Sequence, residues 1–208
     1  MKSYKTVKAI ASDEFTEKRS RFIGTIVPVT SEQEVQEFVT KLKKEHHDAR
    51  HNVYAFVLKD GTCRYSEDGE PQGTAGMPIL NVLKKNQLED CLITVTRYFG
   101  GILLGTGGLT RAYTHAAALA VEASKPQMMK TCKEIELYTD YGAFNGVQTL
   151  ILNYGKVLDS QFEEQVAIKA AILPEHMEAF SKDLTELSAG ALTFSECGEI
   201  LLPFEENV

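Results

Sequence analysis

Two hydrophobic periods alternate along this chain of 208 residues. Residues 22–29 and 53–58 carry dense apolar runs that predict buried strands, and 63–65 predicts a hairpin partner returning across Asp60-Gly61. Between them, Ser31 and Glu34 form a capping-box pattern, and Val35, Phe38, Val39 and Leu42 make the apolar stripe of the helix it opens. A second helix is expected from near Pro78, burying Ile79, Leu80, Val82 and Leu83. A strand at 92–99 and an alanine-rich helix at 109–123 follow. Pro126 then stops the chain's helical pattern and marks a boundary. Beyond it, Ile135 and Leu137 alternate with polar residues, and Phe144, Val147, Leu150, Ile151 and Tyr154 share a helical face. Strand-like runs at 157–162 and 166–172 precede Pro174, a helix bearing Met177, Phe180, Leu184 and Leu187, and a last strand at 192–202. The order βαββαβ predicts a split-βαβ, ferredoxin-like unit. The fold class is α+β, in two domains of residues 1–127 and 128–208.

Composition fits an ordinary soluble globular chain: 43% hydrophobic and 25% charged. No apolar run approaches the roughly 20 residues of a membrane helix, and the first residues lack the apolar segment of a signal peptide. Four cysteines (Cys63, Cys91, Cys132, Cys197) are scattered without a CxxC pair, which argues against a zinc site and a disulfide framework. A cytoplasmic location with no membrane partner is the expectation. The net charge of −7 is unevenly spread: residues 1–125 hold 17 basic and 15 acidic groups, residues 126–208 hold 5 and 14. The first part tolerates a polyanion and the second repels one.

The segment 94–113, TVTRYFGGILLGTGGLTRAY, concentrates the candidate chemistry. Gly100, Gly101, Gly105, Gly107 and Gly108 free the backbone between Arg97 and Arg111, the pattern of exposed amides meeting an anion. The spacing is neither GxxxxGK[ST] nor GxGxxG with its acidic partner, which disfavours a nucleotide-hydrolysing or dinucleotide site. Tight turns for close strand–helix packing explain the glycines equally well. Period two puts Ile93, Val95, Arg97 and Phe99 on one strand face. Arg97 therefore either pairs with an internal carboxylate (Glu67, Asp68 or Glu70) or contacts an anionic ligand at the strand end.

A second segment, SEDGEPQGTAGMP at 66–78, holds Glu67, Asp68 and Glu70 among turn residues, with Gly73 and Gly76 before the next helix. It lacks calcium-loop spacing, so a solvated loop is the plainer reading. His47 and His51 are an i, i+4 pair only if helical, and they do not make HExxH; no metal is expected. His115 reads as a packed or surface helix residue. Lys18, Arg19 and Arg21 form a small basic cluster.

Four ordered motifs carry a resemblance over essentially the whole chain: SRFIG at 20–24, AxHxxYAF from Ala49, SEDGEPQGTAGMPIL at 66–80 and TRYFGGILLGTGGLTRAY at 96–113. Together they resemble the YigZ/IMPACT family, in its bacterial two-domain form without an RWD domain. The resemblance implies an N-terminal domain like ribosomal protein S5 domain 2. It also implies a C-terminal domain similar to the last domain of translocating elongation factors. It further implies a role near RNA or the ribosome, with no cofactor; eukaryotic relatives are tied to translational control.

Three functions follow as expectations. The first is a non-enzymatic regulator of translation or stress response that binds RNA or the ribosome. In it Arg97 and Arg111, with Arg19, Arg21 and Arg50, meet phosphates, while Tyr98, Phe99 and Tyr113 stack on bases. His51, Gly73 and Gly76 belong to the same candidate surface. The second is an enzyme or small-ligand binder that holds a phosphorylated metabolite between the glycine-rich loop and the Glu67-Asp68-Glu70 loop. The third is an interaction module whose acidic C-terminal domain docks a basic protein.

Overall fold

The computed structural model describes residues 3–204, which divide into two compact units, 4–128 and 129–204, the latter joined by Ser3. In the first, the strands β2 (Ala11–Glu17), β3 (Ser20–Pro28), β4 (His51–Val57), β5 (Cys63–Ser66) and β6 (Cys91–Tyr98) form one sheet. Its order is β2-β3-β6-β4-β5, with every neighbour antiparallel. A short β1 (Tyr4–Thr6) bridges to Leu88 through Lys5. The central strand β6 is buried along almost its whole length, as its apolar run requires.

Helices cover both faces. On one, α2 (Gly76–Lys85) and α3 (Thr106–Ser124) pack Ile79, Leu83, Ala116 and Ala120 onto Phe22, Ile93 and Val95. On the other, α1 (Glu32–Glu45) sets Val35 and Val39 against Val27, Phe56 and Leu92. The period-two alternation of β6 thus feeds two cores. The α1 cap forms as its pattern predicts: Ser31 Oγ accepts from Glu34 N at 3.2 Å. Glu34 reaches back to Thr30 N at 2.7 Å rather than to the cap residue's own amide.

The second unit runs β7 (Gln127–Thr139), α4 (Phe144–Tyr154), β8 (Gly155–Phe162), β9 (Val166–Ile172), α5 (Met177–Leu187) and β10 (Phe194–Phe204). Pro174 opens a 3₁₀ turn ahead of α5. Antiparallel β9 lies between β7 and β8, and β10 also pairs with β7. Val147, Ile151, Phe180 and Leu184 from the helices meet Ile135, Leu137, Ile168 and Ile172 in a core of its own. The protein is therefore a mixed α/β chain with antiparallel sheets, as its α+β pattern requires. Two boundaries move from expectation. Helix α3 begins three residues early, enclosing Gly107 and Gly108, and β2 emerges from a segment whose only well-packed apolar residues are Ala11 and Phe15.

Candidate functional site

The outer end of β6 collects the residues that the sequence singled out. Arg97 continues the apolar face of the strand and is 4% exposed. Its Nη1 donates to Glu70 Oε1 at 2.5 Å, and the Tyr113 hydroxyl donates to the same oxygen at 2.8 Å. His51 completes the group. Its Nδ1 is 2.8 Å from the Asp68 carbonyl, which can only accept, so Nδ1 carries a proton and Nε2 faces Glu70 Oε1 at 3.7 Å. The guanidinium carbon of Arg97 sits 5.4 Å from the Phe22 ring centre and 5.6 Å from that of Phe99. Burial, then the Glu70 charge, pushes the Tyr113 phenol well above its ordinary range.

The three carboxylates of the 67–70 segment are not a cluster of free acids. Glu67 closes the amino end of α2: its Oε1 accepts from Gly73 N at 2.9 Å, and its Oε2 from Ala75 N at 2.9 Å and Gly76 N at 2.8 Å. No residue adjacent to α2 supplies a cap, so the distant Glu67 does. Asp68 holds Lys43 at 2.5 Å and the Asn52 amide at 2.6 Å. Glu70 serves Arg97. The solvated-loop reading is corrected in this respect, because burial and hydrogen bonding give each acid one structural partner set.

The expected aromatic platform is also corrected. Tyr113 is fully buried beneath Glu70, and Tyr98 lies on the opposite strand face, 2.8 Å from His46 Nδ1. Only Phe99, 45% exposed, presents an open ring. Arg97 is likewise held inside by Glu70, and Arg21 is paired with Glu14 at 2.6 Å. Lys18, Arg19, Arg50 and Arg111 are exposed and make no ion pair among the described residues. All four border the glycine-rich segment, Lys18 by lining a cavity with Leu104 and Gly108. Gly100 packs on the Arg19 backbone and donates to Ser20 Oγ, Arg50 N donates to Arg97 O at 2.9 Å, and Arg111 Nη1 lies 3.8 Å from the site of a Gly107 side chain.

Beside this loop lies a cavity of about 500 Å³. Arg97, Glu70 and His51 form its polar side, while Phe99, Leu103 and Leu104 supply apolar wall. Arg50 and the first residues of α3, Gly105 and Thr106, also line it. Gly105 adopts φ +71°, and α3 has neither a side-chain cap nor an acidic residue in its first turn. The amide end of α3 therefore remains open, whereas that of α2 is closed by Glu67. A side chain at Gly101 or Gly105 would point into open space, while Gly73 and Gly76 shape the approach to α2. No group of three or more His, Cys, Asp or Glu residues suited to a metal occurs among the described residues. No described helix is long and apolar enough to cross a membrane.

Comparison with known proteins fits this assembly. The Impact N-terminal domain matches residues 18–121, and the Domain of unknown function (DUF1949) matches 138–191. IMPACT family member YvyE of Bacillus subtilis (strain 168) is 37% identical over 201 residues, covering 95% of this chain and 92% of that protein. IMPACT family member YigZ of Escherichia coli (strain K12) is 33% identical over 180 residues, covering 84% and 88%. A solved structure described as that of a hypothetical protein aligns with a TM-score of 0.60 at 31% identity, covering 94% of this chain and 98% of its own. The chain belongs to the IMPACT family.

Proposed function

We propose that this protein is a non-enzymatic regulator of translation or stress response that works in the cytoplasm by binding RNA or the ribosome through residues 4–128. The observation that carries the reading is a set of exposed cations, Lys18, Arg19, Arg50 and Arg111, which make no ion pair among the described residues and lie beside a loop that exposes Phe99, Ile102 and Leu103. Cations supply sequence-independent attraction to phosphates, and an open aromatic ring accepts an unstacked base. The strand order of the second unit, β10-β7-β9-β8, agrees with a ferredoxin-like domain. In this reading the first unit is the S5-domain-2-like partner, an arrangement found in ribosome-bound translation factors, and fold analogy is supporting weight only. The acidic second unit would face a basic ribosomal protein rather than RNA.

The test is co-sedimentation with ribosomes and direct binding to single-stranded RNA at several salt concentrations. Four phosphate contacts give a slope of about −3 in log K against log salt. Charge reversal at Arg19 and Arg111 should abolish the association. Salt-independent binding, or binding that survives both reversals, sinks the reading.

A further inference from the structure

We propose that the cavity between Arg97 and the start of α3 is a site for one nucleoside 5′-monophosphate unit, either a free nucleotide or the phosphorylated 5′ end of an RNA. The phosphate rests on the open amides of α3 beside Arg50, and the planar base lies against Phe99 with its polar edge toward Arg97 and Glu70. The RNA form rests on the function proposed above; the free-nucleotide form does not.

Charge selects an anion. Arg50, Arg97 and the amide end of α3 face a single carboxylate, Glu70, whose hydrogen bonds from Arg97 and Tyr113 both fall on Oε1. Helix amides and a neighbouring arginine are the standard surroundings of a phosphate. The Arg97 side chain lines the cavity with 5% of its surface exposed, and its one hydrogen bond among the described residues runs from Nη1 to Glu70. The accessible remainder of the guanidinium is left to take an acceptor on the ligand. Gly107 points the same way. A side chain there meets nothing nearer than Arg111 Nη1 at 3.8 Å, so no neighbouring group covers the approach to this part of the first turn.

The walls select the body of the ligand. Phe99, Leu103 and Leu104 make an apolar lining that inorganic phosphate leaves empty. An aliphatic acid fills it but offers the Arg97 guanidinium no second acceptor. A heteroaromatic base offers a flat face to the ring and ring nitrogens or carbonyls to the guanidinium. The volume of about 500 Å³ falls in the ordinary range of small-ligand sites.

The test is calorimetric titration of the whole chain with nucleoside 5′-monophosphates, the matching nucleosides and inorganic phosphate, together with short RNAs bearing a 5′-phosphate or 5′-hydroxyl. Monophosphates should bind, nucleosides at least about tenfold more weakly, and phosphate alone not at all. Thr106→Glu sets a carboxylate on the open amides; the protein should melt no lower while its nucleotide affinity falls about tenfold. Phe99→Ala should weaken nucleotide binding in a protein that still folds, its melting point falling only by the lost ring contact with Arg97. A preference for 5′-phosphorylated RNA that Thr106→Glu removes identifies the RNA end as ligand; mononucleotide binding without that preference identifies the free nucleotide. Failure of every monophosphate to bind, equal binding of inorganic phosphate, or indifference to Thr106→Glu overturns the site. Reversal at Lys18 and Arg19, neither of which lines the cavity, separates the two readings, because it should weaken surface RNA binding and spare the mononucleotide.

Discussion

Arg97 and Glu70 lie 27 residues apart in sequence and meet at 2.5 Å, with 5% and 3% of their side chains exposed. Such a pair adds little net stability when formed, because desolvating both ions offsets their attraction. Breaking it is a different matter, since the survivor keeps its charge inside the protein.

Glu70→Gln and Arg97→Met should each lower the unfolding free energy by about 3–5 kcal/mol, read from urea denaturation. The double variant Arg97→Met, Glu70→Leu should recover most of that loss. Tyr113→Phe, which removes one hydrogen bond to a charged oxygen, should cost about 1.5–3 kcal/mol. An unchanged urea midpoint for Glu70→Gln would show that the buried pair does not form.

Glu67 closes the start of α2 from nine positions before Gly76, so its loss should act like the loss of a helix cap. Glu67→Ala is expected to cost about 1–2 kcal/mol in chemical denaturation. Amide exchange at Gly73, Ala75 and Gly76 should accelerate together, and protected amides there in the variant would contradict the assignment.

Two glycines of the same segment, one in the loop and one in the first turn of α3, should respond in opposite directions. A Gly100 side chain would run into the Arg19 backbone, where nothing flexible can yield. Gly100→Ala should therefore destabilise and loosen the β2–β3 turn. Gly107 is helical with open space at its Cβ position, so Gly107→Ala should raise stability by about 0.5–1 kcal/mol. Melting temperatures of the two variants decide the matter.

Stability should fall on the alkaline side. Burial raises the Cys91 thiol from 9.0 to about 11, and burial together with Asp90 raises the Tyr4 phenol from 10.0 to about 12. Tyr113 moves in the same direction through burial and Glu70. In each case the unfolded chain releases its proton first, so unfolding gains as pH rises. Unfolding free energy should be level near neutrality and decline from about pH 9 toward pH 12. The decline should be shallower in Tyr113→Phe. Thiol labelling at neutral pH should reach exposed Cys63 and Cys197 while sparing buried Cys91 and Cys132 until the protein unfolds.

Much of the architecture was readable from local pattern. The β4–β5 hairpin follows Asp60-Gly61, the α1 cap forms on Ser31, and β7 to β10 appear in the order their periodicity predicts. Strand β2 was not readable, because an edge strand with one packed face needs few apolar residues. The start of α3 was misplaced because Gly107 and Gly108 look like breakers, although the first turn of a helix accepts glycine where neighbouring structure holds it. At the site, the sequence pointed to Arg97 and named Glu70 among three possible acids. It did not reveal Tyr113 as their buried third member or Leu103 as part of the cavity wall.

Local order alone decided the alternation of strands and helices, the punctuation between them and the face on which each side chain lies, since these depend on backbone periods and on residues a few positions apart. Long-range packing decided what the charged residues do. Glu67, Asp68 and Glu70 are near equivalents in the chain, yet one caps a helix, one ties down Lys43 and one neutralises Arg97. That division depends on which distant donor each carboxylate meets and on how much water is excluded there, and both arise only when the sheet and its helices close around them.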